Sequence, residues 1–112
     1  MKKHLDSAIG TDTKVFVLSD GQFRKGLNKG LGFSAEDRAE NIRRVGEVSK
    51  LMNQAGMIVM CCFVSPEEGP RKKAAETHKE GKLEFEEIFC CASAEVCEER
   101  DPKGLWKKAR AG

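Results

Sequence analysis

Apolar positions along the chain change their spacing several times, and each change marks an element. Lys14-Val15-Phe16-Val17-Leu18 is a short β-branched apolar run closed by Ser19-Asp20-Gly21, which predicts a buried strand ending in a turn. Ser34-Ala35-Glu36-Asp37 then opens a long helix, with Ser34 as N-cap and two acids in the first turn, where the helix dipole favours negative charge. Ile42, Val45, Val48, Leu51, Met52 and Ala55 are read as its apolar stripe, and Gly56 as its stop. Met57–Val64 predicts a second buried strand, ended by Ser65-Pro66. Arg71–Glu80 reads as a polar helix, Leu83–Cys91 as a third strand and Ala94–Arg100 as a short helix. Pro102 interrupts, and Lys103–Arg110 is basic and amphipathic. Ahead of all these, Lys2–Ile9 predicts the tail of a helix stopped by Gly10.

Strands alternating with helices predict a parallel sheet covered on both faces, with any ligand bound beyond the carboxyl ends of the strands. The positions to inspect are then Ser19–Arg24, Val64–Pro66 and Ala92–Ser93. A length of 112 residues suits one domain with a real core. The 20 Lys and Arg against 18 Asp and Glu are interspersed, which leaves no nucleic-acid footprint. The longest apolar run, Met57–Val64, is too short to span a bilayer, and Met1–Asp6 has no signal-peptide character, so a cytoplasmic protein without membrane partners is expected. The five cysteines fall as Cys61-Cys62, Cys90-Cys91 and Cys97, without C-x-x-C spacing; reduced thiols filling a strand core are expected, with no metal role.

Basic groups gather near the strand ends: Arg24 and Lys25 after the first strand, Arg38, Arg43 and Arg44 on the long helix, and Lys103, Lys107, Lys108 and Arg110 in the tail. Arginine pairs bidentately with phosphate or sulfate oxygens, and Phe33 at the helix entrance could stack on a purine. Composition and pattern reach only a possible anionic-nucleotide binder.

The run Gly26–Ser34, then Glu36-Asp37-Arg38 and Glu40–Arg44, resembles the adenylylsulfate (APS) kinase family. Phe63-Val64-Ser65-Pro66 is similar to its F-I-S-P, and Cys97–Gly112 to its C-E-x-R-D-x-K-G-L-Y-K-K-A-R-A-G. The insert near Glu80–Leu83 resembles the animal enzymes, where the kinase is fused to ATP sulfurylase in PAPS synthase. The resemblance implies transfer of the γ-phosphoryl group of Mg-ATP to the 3′-hydroxyl of APS, giving 3′-phosphoadenylyl sulfate (PAPS) in sulfate activation. It implies substrate contacts from Arg24, Phe33, Arg38, Asn41, Val64, Ser65 and Lys103. Arg24 and Arg38 would clamp the phosphosulfate, Phe33 would stack on adenine, Asn41 would add neutral hydrogen bonds, and Lys103 would ride a mobile lid. Ser65, which matches a serine phosphorylated in some bacterial members, is the candidate catalytic position. A homodimer, or pairing with an intact kinase chain, is also implied.

The family's P-loop, G-x-x-G-x-G-K-S/T, has no counterpart here: the only Gly-Lys is Gly81-Lys82, followed by Leu83. The chain is read as starting inside the helix after that loop and ending before the family's F-T-G-I-D. The family's D-G-D-N-V/I-R reads Ser19-Asp20-Gly21-Gln22-Phe23-Arg24, so both acids are replaced unless Asp20 substitutes through a shifted turn. Its D-R-x-x-A-R becomes Pro70–Ala75, without the second arginine, and its F-V-D becomes Phe89-Cys90-Cys91.

The expected fold is therefore α/β: a partial P-loop-kinase-like parallel sheet with helices on both faces and the central P-loop strand missing. With that strand gone, Met57–Val64 and Leu83–Cys91 are expected to pair directly, bringing Cys61 or Cys62 near Cys90 or Cys91. An inactive piece of a kinase domain, a noncatalytic APS- or PAPS-binding partner, and a small interaction module with a merely solvated basic face are the competing functional readings, and titration with APS separates the second from the others.

Overall fold

A computed structural model describes residues 13–112; the helix expected over Lys2–Ile9 lies outside them. The elements are β1 (Val15–Ser19), α1 (Asp20–Lys25), α2 (Ala35–Gln54), β2 (Ile58–Cys62), α3 (Glu68–Glu80), α4 (Ala94–Arg100) and α5 (Leu105–Ala111). β1 and β2 pair in parallel, Val15 opposite Ile58 through Ser19 opposite Cys62. The connection between them runs through α1 and α2, the long crossover that parallel strands require.

Ser19-Asp20-Gly21 does not form the expected turn; Asp20 starts α1 directly at the end of β1. Gln22 makes this possible, because its side-chain oxygen accepts from the Ser19 backbone N–H at 2.9 Å and its hydroxyl at 3.1 Å. Phe23 on α1 thereby turns into the core with Leu18 and Val45, and meets Phe63 edge-to-face at 5.3 Å. Ser34 caps α2 as expected, accepting from the Asp37 N–H at 3.1 Å. At the other end Gly56 takes φ +84°, the left-handed conformation that stops a helix.

The stripe of α2 differs from the expected one. Ile42 and Val45 are buried, and Val48 and Met52 pack against the core, but Leu51 is 65% exposed. At about 100° per residue Leu51 falls roughly half a turn around the helix from Ile42. Gly46 and Ser49 take the buried side instead, where α3 comes close: a Cβ on Gly46 would sit 3.6 Å from that of Ala74. Ser49 Oγ lies 3.2 Å from Nε2 of the buried His78, whose Nδ1 is 2.8 Å from the Ala74 carbonyl. The α3 helix starts at Glu68, before the expected Arg71.

The third strand does not form. Leu83–Cys91 runs without regular structure, with Ile88 78% and Phe89 84% exposed, and the hydrogen-bonded partner of β2 is β1. A strand exists only where a neighbouring edge accepts its backbone groups, so the apolar positions of this segment are not sufficient. The expected pairing of Met57–Val64 with Leu83–Cys91 is thus absent, and Cys61, Cys62, Cys90 and Cys91 are exposed free thiols rather than core filling. Replacing Ile88 and Phe89 together by serine is expected to shift folding stability by less than about 0.5 kcal/mol, since neither is buried. Light scattering of concentrated solutions should fall, because an exposed apolar run favours association between copies. Unchanged scattering would contradict this.

No helix among the described residues is long and apolar enough to cross a membrane. The α4–α5 hairpin is held together by Asp101, whose carboxylate accepts from the N–H groups of Trp106 and Lys107, and by the Arg110–Glu98 ion pair. Burial alone would raise the Asp101 carboxyl, but the amides of Lys107, Trp106 and Leu105 outweigh it and hold it below its ordinary value.

Candidate functional site

The carboxyl end of β1 delivers Asp20 and Arg24 to one face of α1, four residues apart and one helical turn up. Arg24 Nε donates to Asp20 Oδ2 at 2.8 Å, and one terminal nitrogen donates to the carbonyls of Leu31 and Gly32, both at 3.2 Å. Its guanidinium carbon stands 4.2 Å from the centroid of the Phe33 ring. One side chain therefore closes the loop 26–33 onto α1. Gly32 lets the Asp37 carboxylate come close: its N–H donates to Asp37 Oδ2 at 2.9 Å, and a Cβ there would meet the same oxygen at 2.9 Å, so a larger residue would push that side chain aside.

Beneath the loop lies a buried polar chain. Asn41 Nδ2 donates to Asp20 Oδ1 at 3.2 Å, and Asn41 Oδ1 accepts from Asn28 Nδ2 at 2.7 Å. A carboxylate accepts only, so Asp20 fixes which way the Asn41 amide points, and Asn41 fixes Asn28 in turn. Asn28 is 0% exposed and Asn41 2%. On the outer side Arg44 donates to the Leu27 carbonyl at 3.0 Å, and Glu40 binds both Arg43 and Arg44. Those two guanidinium groups, Arg43 foremost, pull the Glu40 carboxyl down to about 2.

Arg38, one turn into α2, donates through NH1 to the Phe33 carbonyl at 2.8 Å. Its other edge, Nε and NH2, grips one carboxylate oxygen of Glu67, Nε at 2.9 Å. Glu67 follows Ser65-Pro66 at the start of α3, and the Arg38 guanidinium holds its carboxyl below the usual range. Arg71 donates to the carbonyls of Ser65 and Pro66, both at 2.9 Å, which fixes this loop at the end of β2.

Arg24, Phe33, Arg38 and Asn41 are thus brought together, and Glu67 joins them to the Val64–Ser65 loop. Val64 is 77% exposed and Ser65 half-buried. Lys103 stands apart, exposed in the turn between α4 and α5, and no hydrogen bond or ion pair joins it to the cluster among the described residues. Asn28 and Glu67 escaped the sequence reading as site residues, and Asp20 entered it only as a substitute for the motif's replaced acids. The four-residue spacing of Asp20 and Arg24 was a usable signal; nothing local pointed to Arg38 and Glu67, which are 29 residues apart.

A strand–helix–strand unit with parallel pairing, and two guanidinium groups gathered beyond the strand ends, makes this an α/β protein with a basic site at the carboxyl end of its sheet. An APS kinase of Mycobacterium tuberculosis, solved in complex with AMPPNP and APS, superposes with a TM-score of 0.83 at 41% identity, over 99% of this chain and 62% of that one. The family model for adenylylsulphate kinase matches residues 2–112. The adenylyl-sulfate kinase of Acaryochloris marina is 51% identical over 107 residues, covering 96% of this chain and 51% of the relative. That of Pseudomonas entomophila is 55% identical over 97 residues, covering 87% and 46%. The chain belongs to the adenylylsulphate kinase family and spans about half the length of the curated relatives it matches.

The Mg-ATP implied by the family would need a phosphate cradle, and the sequence holds no Gly-Lys-(Ser/Thr) to form one; among the described residues no three His, Cys, Asp or Glu side chains converge.

Proposed function

We propose that these residues form the adenylyl-sulfate-binding portion of an adenylyl-sulfate kinase, a protein that makes PAPS from APS and ATP in sulfate activation. The observation that carries the reading is the cluster at the end of β1. Arg24 has its Nε and one terminal nitrogen committed to protein acceptors, and the remaining nitrogen has no protein partner among the described residues. That free edge suits a sulfate or phosphate oxygen. The adjacent Phe33 ring, 72% exposed, suits an adenine. Val64 and Ser65 lie on the loop that leads into Glu67, which binds Arg38, and in this reading they would contact the substrate, with Ser65 as the candidate catalytic position. Lys103 would reach the nucleotide only if the α4–α5 hairpin moves, as a lid does.

Phosphoryl transfer depends on electrostatic stabilisation of the triphosphate, and the motif that provides it is not among these 112 residues. Residues 1–112 produced alone are expected to bind APS but to form no PAPS above background when ATP and Mg²⁺ are added. Calorimetric titration with APS and a coupled assay for PAPS check the two halves separately. Turnover abolished by Lys103→Ala would contradict the second half, and absence of APS binding by folded protein the first.

A further inference from the structure

Arg38 presents the edge of its guanidinium that pairs with planar or tetrahedral oxyanions, and a side chain of the same protein already holds it. Nε and NH2 both reach Oε1 of Glu67, while NH1 is spent on the Phe33 carbonyl. We propose that Glu67 is an affinity-setting residue for the substrate anion: its carboxylate occupies Arg38 as an internal competitor, and APS binds only by displacing it. The proposal rests on the reading of Arg38 as a clamp for the phosphosulfate.

Three features suit Glu67 to that role. Its position is fixed from the backbone, because Arg71 ties the carbonyls of Ser65 and Pro66 just before it. The Arg38–Glu67 pair is part-exposed, with side-chain exposures of 35% and 38%, so water and solute ions reach it and it can open. And Arg38 stays anchored when it opens, since its bond to the Phe33 carbonyl uses a different nitrogen. An incoming anion then meets a guanidinium already anchored on the Phe33 carbonyl rather than a free side chain. Neighbouring Glu68 provides the contrast: it pairs with Lys72 on the outer face of α3 at 2.8 Å and does not touch Arg38.

The test is calorimetric titration of APS into the full chain and four variants, each checked for folding by circular dichroism. Glu67→Gln is expected to bind APS about two- to fivefold more tightly, the equivalent of an exposed ion pair no longer opposing binding. Glu68→Gln, with the same change in net charge, should leave affinity unchanged. In Arg38→Ala the further change Glu67→Gln should bring no gain, because the competitor then has nothing to hold. Unchanged or weaker binding by Glu67→Gln, with measurable binding by the parent, overturns the proposal and leaves the APS reading intact. An equal gain in Glu68→Gln, or a gain that persists without Arg38, assigns the effect to the general field and also overturns it. Absence of APS binding by every folded variant overturns the APS reading itself, and the proposal with it.

Discussion

Replacing Asn28 by leucine is expected to lower folding stability by about 2–4 kcal/mol, the loss typical of a buried hydrogen-bond partner removed together with imperfect repacking. Leucine keeps the branching and heavy-atom count of asparagine but its methyl groups are bulkier, so overpacking at this fully buried position adds to the polar loss. Asn28 is 0% exposed and donates to Asn41 Oδ1 at 2.7 Å. Without it that oxygen is buried and has no donor, and the Asn41 amide cannot turn to find one. Turning would aim its oxygen at the Asp20 carboxylate, two acceptors face to face. The urea midpoint should fall with the slope of the transition unchanged, as for a loss confined to the folded state. Asn41→Leu should cost a similar amount, and the double variant distinctly less than the sum, because each single change already breaks the shared bond. Additive losses would show that the two amides do not depend on each other.

Replacing Arg24 by alanine is expected to weaken APS binding by about 2–3 kcal/mol, or roughly 30- to 150-fold, by analogy with the worth of hydrogen bonds to charged groups. Two losses combine. The free guanidinium edge goes, and so does the clamp that holds the Leu31 and Gly32 carbonyls and backs the Phe33 ring. Arg24→Lys separates them: it keeps the charge but cannot bind Asp20 and two carbonyls at once, so most of the loss should remain. Equal affinity in the parent and Arg24→Ala, measured by titration, would remove Arg24 from the site. Arg38→Ala is expected to cost less than Arg24→Ala, because in the parent protein Arg38 must first release Glu67.

The sequence is most informative where a local pattern has only one physical solution. Ser34 before two acids, and Gly56 after the last apolar position, mark the ends of α2 because capping is settled within a few residues of chain. The apolar runs of β1 and β2 were legible as strands for the same reason, but no residue of β2 is buried, and its parallel pairing with β1 replaces the expected pairing with Leu83–Cys91. Leu51 and Leu83–Cys91 mislead because hydrophobicity states a preference for burial without supplying the neighbour that provides it.

The candidate site divides along the same line. Arg24, Phe33, Arg38 and Asn41 could be nominated from the chain because they stand in motifs that resemble a family's. Their neighbours could not: the role of Asn28 depends on complete burial, that of Asp20 on α1 starting one residue after β1 ends, and that of Glu67 on a contact across 29 residues. By itself the sequence determined the two ends of α2, the strands β1 and β2, the α/β class and the guanidinium groups that could meet an anion. These are set by spacing and by residue chemistry, which are local. Only the tertiary structure decided which apolar run became a strand, which way the Asn41 amide points, and that Arg38 is already held by a carboxylate, because hydrogen-bond polarity and ion pairing depend on groups that folding alone brings within 3 Å or so of one another.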